Sequence, residues 1–273
     1  MNSLPKTIYI IRHCDKNIVL GDTSDEVIDD DDGNLTSDKA DNGCSNDGYK
    51  RALLLAGLNG SCSISNICNN QCTGTFDPSN PGFFPKLLGP DIKPILLAPL
   101  SKLDPASKKT DTNCTSSNRC CLILDPLAYY YKTQINPNNE SFCSTEPKEV
   151  GKMLINNPQL YGGQTIILAY EHKAIPDLLN TMKVDPHLNQ WPKNADDRYD
   201  LVFKVTFDEN PKVEIFSQKL LPQDTDDNPF EEKFTMTTKK PKRKITNLWL
   251  TLSLIFFSIL VIVLIVLIML LIK

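Results

Sequence analysis

A run of apolar, mostly β-branched residues, Thr7-Ile8-Tyr9-Ile10-Ile11, breaks directly into Arg12-His13. Such a run suits a strand covered on both faces, and that requires a sheet with helices packed on either side. In open α/β sheets ligands bind beyond the carboxyl ends of the strands, where this basic pair falls. A guanidinium offers a rigid fork of donors matched to phosphate oxygens. An adjacent imidazole becomes a nucleophile when its second ring nitrogen is held by a hydrogen bond. For an isolated Arg-His pair the plainer reading is a solvated strand end, so the weight falls on the rest of the chain.

The pattern recurs. Gln164 to Tyr170 is another buried strand, entered through Gly162-Gly163 and ending in Glu171-His172-Lys173, with a helix expected over Ile175 to Met182. Between the two strands, Ser45 is a good N-cap and Asp47 suits the first turn of a helix that Gly57 can end. Pro94 to Ala98 reads as a further strand, and residues 117–128 as a helix with Arg119 near its start. A helix N-terminus adds free amides and a positive dipole end to that guanidinium, which favours an anion. Pro147 suits the first turn of a helix to about Asn156. Leu201 to Phe207 and Val213 to Gln218 read as a hairpin across Asp208–Pro211. Residues 21–42, which hold Asp29–Asp32, read as a solvated acidic loop, and 59–92 as an irregular insertion.

These landmarks resemble the histidine phosphatase superfamily, the phosphoglycerate-mutase-like fold. The strand and Arg12-His13 match that family's opening strand and Arg-His-Gly, with Cys14 in place of the glycine. Cys44-Ser45-Asn46-Asp47-Gly48-Tyr49-Lys50-Arg51-Ala52 is similar to Leu-Ser-x-x-Gly-x-x-Arg-Ala, with Cys44 replacing the leucine. Arg51 is therefore expected to be structural. Glu171-His172-Lys173-Ala174-Ile175-Pro176 resembles the second-histidine segment of one branch, and Trp191-Pro192 with Tyr199-Asp200 resembles the approach to a late strand. The resemblance spans residues 7–220 with long unmatched loops. It implies a three-layer α/β/α sandwich with a mostly parallel central sheet.

The same resemblance implies covalent phosphomonoester hydrolysis. His13 attacks phosphorus, while Arg12, Arg119 and His172 hold the equatorial oxygens. A carboxylic acid protonates the leaving oxygen. Its candidates are Glu171, then Glu146, then Glu140; against Glu171 stands the rule that neighbouring strand residues face opposite ways. No metal or cofactor is implied. The substrate is a phosphorylated compound of unread class. A catalytically silent scaffold with the same fold is the alternative.

With 273 residues the chain has room for one medium α/β domain with appendages, and a net charge of −4 with no basic aromatic stripe excludes a nucleic-acid binder. Nine cysteines include no Cys-x-x-Cys, and Cys62, Cys68 and Cys72 fit no common zinc spacing, so reduced thiols are expected. The domain is expected over 1–222 and a flexible basic linker over 223–246. Residues 247–272 should form one transmembrane helix, because Leu248 to Ile272 is uncharged and exceeds the roughly 20 residues a bilayer core needs. Trp249 suits the interface. The cluster Lys239 to Lys244 precedes this span and no secretory leader is read at Met1 to Lys6, so a tail anchor with a cytosolic domain is expected. Four Asn-x-Ser/Thr sequons, at Asn34, Asn59, Asn113 and Asn139, point the other way, although about three are expected by chance.

Overall fold

The computed structural model describes residues 4–14, 44–62, 72–99, 119–138, 140, 142–184, 188, 190–192, 195–208, 211–227 and 229–230. The acidic loop 21–42, the linker beyond Phe230, the basic cluster and the expected span at 247–272 lie outside them. Among the described residues no helix is long and apolar enough to cross a membrane.

The central sheet has five strands in the order β4-β5-β1-β6-β7. They are β1 (Thr7–Arg12), β4 (Ile95–Leu97), β5 (Thr165–Tyr170), β6 (Leu201–Thr206) and β7 (Lys212–Ser217). β1 and β5 are parallel neighbours in register from Thr7 opposite Thr165 to Arg12 opposite Tyr170. β4 pairs parallel with the far side of β5. β6 runs antiparallel to β1, and β7 antiparallel to β6. The molecule is thus mixed α/β with a mostly parallel central sheet.

Both β1 and β5 are buried along their whole length, as continuous apolar runs require. Side-chain alternation sends the residues of β1 into two cores. Ile8 and Ile10 pack with Val150 and Leu154 of α4 (Pro147–Asn156) and Leu178 of α6 (Ile175–Thr181). Tyr9 and Ile11 pack with Ala52 and Leu55 of α1 (Asn46–Ala56) and Ile123 and Leu127 of α3 (Arg119–Tyr131). Truncating Ile10 to alanine would cost about 2–5 kcal/mol, the usual penalty for cutting a large aliphatic side chain back to Cβ in a closed core.

Local signals set the helix ends. The Ser45 side chain accepts a hydrogen bond from the Gly48 amide at 3.0 Å. Gly57 closes α1 in the left-handed region (φ 70°), with its amide directed to the Leu53 and Leu54 carbonyls. A Cβ at Gly57 would lie 2.4 Å from the Gly82 nitrogen, so only glycine lets these two segments meet. Pro147 opens α4 as expected.

Three readings need correction. The stretch 59–92 is not wholly irregular: β2 (Leu58–Cys62) and β3 (Cys72–Phe76) form an antiparallel hairpin, and α2 (Phe83–Leu88) follows. The three middle residues of each strand are exposed, so no apolar alternation marks the hairpin in the sequence. Among the described residues the cysteines, Cys120 apart, are not reduced thiols. Cys14 is joined to Cys44 and Cys62 to Cys72, Cys121 and Cys143 are also disulfide-bonded, and Cys120 is the free cysteine among the described residues. Spacing along the chain carries no information about which thiols meet in space. Finally, the compact unit runs to Phe230, past the expected boundary at 222. Asp224 makes a two-pronged ion pair with Arg51 of α1, at 2.9 and 2.8 Å, and Phe230 is buried against Trp191 and Phe203. Two anchors in a polar, aperiodic stretch leave no pattern to read.

Candidate active site

The parallel pairing of β1 with β5 brings the two basic strand ends together. The His13 amide donates to the Tyr170 carbonyl at 3.1 Å, one step beyond the last paired residues. The rings of His13 and His172 consequently lie 5.8 Å apart between centroids. His172 begins a short 3₁₀ turn, His172–Ala174, that leads into α6. That turn breaks strand alternation, and Glu171 is thereby able to face the same site as its neighbours.

His13 is nearly fully buried. Its Nδ1 lies 2.8 Å from the Cys14 carbonyl oxygen. A carbonyl only accepts, so Nδ1 carries the proton and Nε2 is turned toward the site. Glu171 spans the two imidazoles. Its Oε2 is 2.8 Å from His13 Nε2, and its Oε1 is 2.6 Å from His172 Nδ1. His172 Nε2 faces Asp196 at 3.9 Å, and the ring packs edge-on against Trp191 at 5.3 Å.

Arg12 is buried at the last position of β1. Its Nη1 donates to the Ala195 carbonyl at 3.5 Å and, more closely, to the Asp196 carbonyl. The guanidinium lies 3.7 Å over the Tyr199 ring and 5.8 Å from Trp191. Stacking and carbonyl contacts together fix the plane of the fork. Arg119 is the first residue of α3, buried, as expected from the helix start.

Burial pushes the His13 pKa below the ordinary imidazole value; Glu171 opposes this by hydrogen bonding and charge, and the nearby Arg119 charge reinforces it. At Glu171 burial pushes upward, but hydrogen bonds and charge from His13 and His172 prevail and hold the carboxyl well below the usual range. His13 Nδ1–H is committed to Cys14, which leaves Nε2 as the ring nitrogen turned to Glu171.

The other two candidate acids have different partners. Glu140 accepts from the Asn138 backbone and side chain, both at 2.9 Å, and from the Tyr161 hydroxyl at 3.0 Å. It is a buried structural pin. Glu146 stands at the N-cap of α4, where its carbonyl accepts the Val150 amide. Of the three candidate acids, Glu171 alone bridges the histidines. Arg51 has no part in the site, being held by Asp224.

Sequence reasoning missed the supports. Tyr199 and Trp191 were visible as landmarks without a role; they prove to be the walls for Arg12 and His172. The carbonyls of Cys14, Ala195 and Asp196 leave no sequence trace. Nor was the link between Cys14 and Cys44 expected, although these are the two positions where the chain departs from the landmarks it resembles. Their Cα atoms are 5.5 Å apart, and the bond ties the residue after His13 to the entry of α1.

Comparison of the chain with protein-family models, with curated proteins and with solved structures finds no match in any of the three.

Proposed function

We propose that this protein is a phosphomonoesterase that works through a phosphohistidine on His13. The observation that carries the reading is the Glu171 carboxylate held between His13 Nε2 and His172 Nδ1, with buried Arg12 adjoining His13 in the chain and the buried Arg119 charge acting on His13. Nδ1–H donation to Cys14 orients a nucleophilic Nε2. Arg12, Arg119 and His172 are suited to the equatorial oxygens of a phosphoryl group, where transition-state charge develops. The three-layer sandwich implied by the sequence resemblance accords with this arrangement.

Glu171 is one-third exposed at its side chain, so it can swing aside when a phosphate enters. The substrate binds as its phosphate monoanion; its negative charge raises the proton affinity of Glu171, and the phosphate proton passes to that carboxylate. The lone pair of His13 Nε2 then forms the N–P bond as the P–O bond to the leaving group breaks. Glu171 gives its proton to that oxygen. In the second half a water attacks phosphorus, its proton returns to Glu171, and the N–P bond breaks to release phosphate. The expected membrane span at 247–272 would hold the enzyme at a lipid surface.

A second reading is favoured by one observation. Ligand atoms of His13, Glu171 and His172 lie within 4.8 Å of one another, a two-histidine, one-carboxylate set. The positive charges of Arg12 and Arg119 disfavour a divalent cation and favour a phosphate, which supports the phosphoenzyme reading.

The test is rapid quench of the full chain with a radiolabelled phosphomonoester. Label should be trapped on His13 as an alkali-stable, acid-labile adduct, and His13→Ala should trap none. Turnover without such an adduct rejects the mechanism. Activity lost on chelation and restored by one metal supports the second reading. No turnover on a broad phosphoester panel supports the silent scaffold.

A further inference from the structure

We propose that the folded domain matures in an oxidising compartment and carries an N-linked glycan on Asn59. Six of the seven described cysteines are disulfide-bonded, including pairs that span both a core-facing brace, Cys14–Cys44, and a peripheral hairpin, Cys62–Cys72. Disulfides at this density persist on secreted or luminal domains and are removed where glutathione and thioredoxin keep thiols reduced.

The hairpin presents the acceptor. Asn59-Gly60-Ser61 occupies the middle of β2, and all three residues are exposed while Leu58 and Cys62 on either side are buried. Across the ladder Asn59 faces Thr75, and Gly60 faces Gly74. Thr73, Gly74 and Thr75 are exposed as well, so small residues surround the asparagine. A Cβ on Gly60 would meet the Thr73 carbonyl oxygen at 1.9 Å, so the strands close tightly beneath the sequon and leave its outer surface clear. The hairpin is anchored at its base, where the Tyr49 hydroxyl donates to the Cys62 carbonyl at 3.1 Å and accepts from the Cys62 amide at 2.5 Å. An exposed Asn-x-Ser is an acceptor for a glycan. The sequons at Asn34, Asn113 and Asn139 begin outside the described residues.

The basic cluster Lys239–Lys244 argues for the opposite orientation, through the preference of positive charge for the cytosolic side. That preference governs short loops, whereas long domains cross largely regardless of charge. A disulfide has no comparable latitude, because it needs an oxidant to form and a non-reducing surrounding to last. The disulfides therefore outweigh the charge pattern, and the domain is placed on the side away from the cytosol.

The test expresses the full chain in a eukaryotic cell, with Asn59→Gln, Ser61→Ala and Ser61→Thr beside the wild type. Peptide N-glycosidase should shorten the wild-type chain on a gel. N59Q and S61A should each migrate faster by one glycan, and S61T should retain it, since threonine keeps the acceptor hydroxyl. Alkylation of the denatured, unreduced protein followed by peptide mapping should label Cys120 and spare Cys14, Cys44, Cys62 and Cys72. If N59Q runs with the wild type before digestion, the glycan site is wrong. If Cys62 and Cys72 are alkylated without reductant, the compartment is wrong.

Discussion

Glu171 touches both histidines, and its replacement separates an acid from a mere spacer. Glu171→Gln keeps the shape and loses the proton. Turnover of an alkyl phosphate should fall by about 10²–10⁴-fold, the usual worth of a positioned acid, while an aryl phosphate with a good leaving group loses far less. Equal losses on both substrates would remove the acid role. His13 sets the acid side of the pH profile. Attack needs neutral imidazole, and burial lowers the His13 pKa. Activity is therefore retained on the alkaline side of that depressed pKa and lost as pH falls through it. The acid limb of kcat/KM should lie below the roughly 6.5 of an unperturbed histidine, and a limb at or above that value would contradict the burial argument. Cys120 sits beside Arg119, yet burial pushes its thiol well up, and alkylating reagents applied to the native enzyme should leave activity unchanged.

At the scale of elements, α3 carries a buried charge-bearing group with no assigned task. Burial raises the Asp125 pKa to about 7. A carboxyl whose folded pKa exceeds its unfolded value of about 3.9 binds more protons in the folded state across that interval. Stability is then fully present below about pH 4 and is lost as pH rises toward 7, by about 1.4 kcal/mol per pH unit. Asp125→Asn removes this slope. Urea midpoints compared between pH 4.5 and 7 should fall more steeply for the wild type than for D125N, and parallel curves would show Asp125 to be ionised when folded. α1 is held differently. Arg51 and Asp224 are both almost fully buried, so removing one partner strands a charge and should cost about 3–5 kcal/mol, whereas Arg51→Met with Asp224→Leu should recover most of it. Guanidinium denaturation of the single and double variants checks this.

For the whole molecule, the closing segment decides where the folded unit ends. A fragment ending at 222 lacks Asp224 and Phe230 and so loses both an ion pair and a buried aromatic. It should unfold at markedly lower temperature than a fragment ending at 230, as read by calorimetry. The Cys14–Cys44 bond closes a loop across a sequence separation of 30, which corresponds to about 3–4 kcal/mol of lost denatured-state freedom. Mild reductant should lower the melting temperature and, because the brace follows His13 directly, turnover with it.

Periodicity and punctuation were enough to place β1, β5, α1, α4 and the β6–β7 hairpin, since a strand buried on both faces and a capped helix each leave a local trace in composition. Arg12, His13, Glu171 and His172 were legible for the same reason: each ends or follows a buried strand, and strand ends are where such sheets open. The pairing of thiols, the stacking of Tyr199 on Arg12 and the docking of Asp224 and Phe230 were not legible. Each joins residues far apart in the chain, and the choice among possible partners is made by packing in three dimensions. The role of Glu171 lies between these cases. Its identity is in the sequence, but strand alternation alone would aim it away from His13. The 3₁₀ turn that begins at His172 reverses that, because leaving the extended conformation frees adjacent side chains from opposite faces.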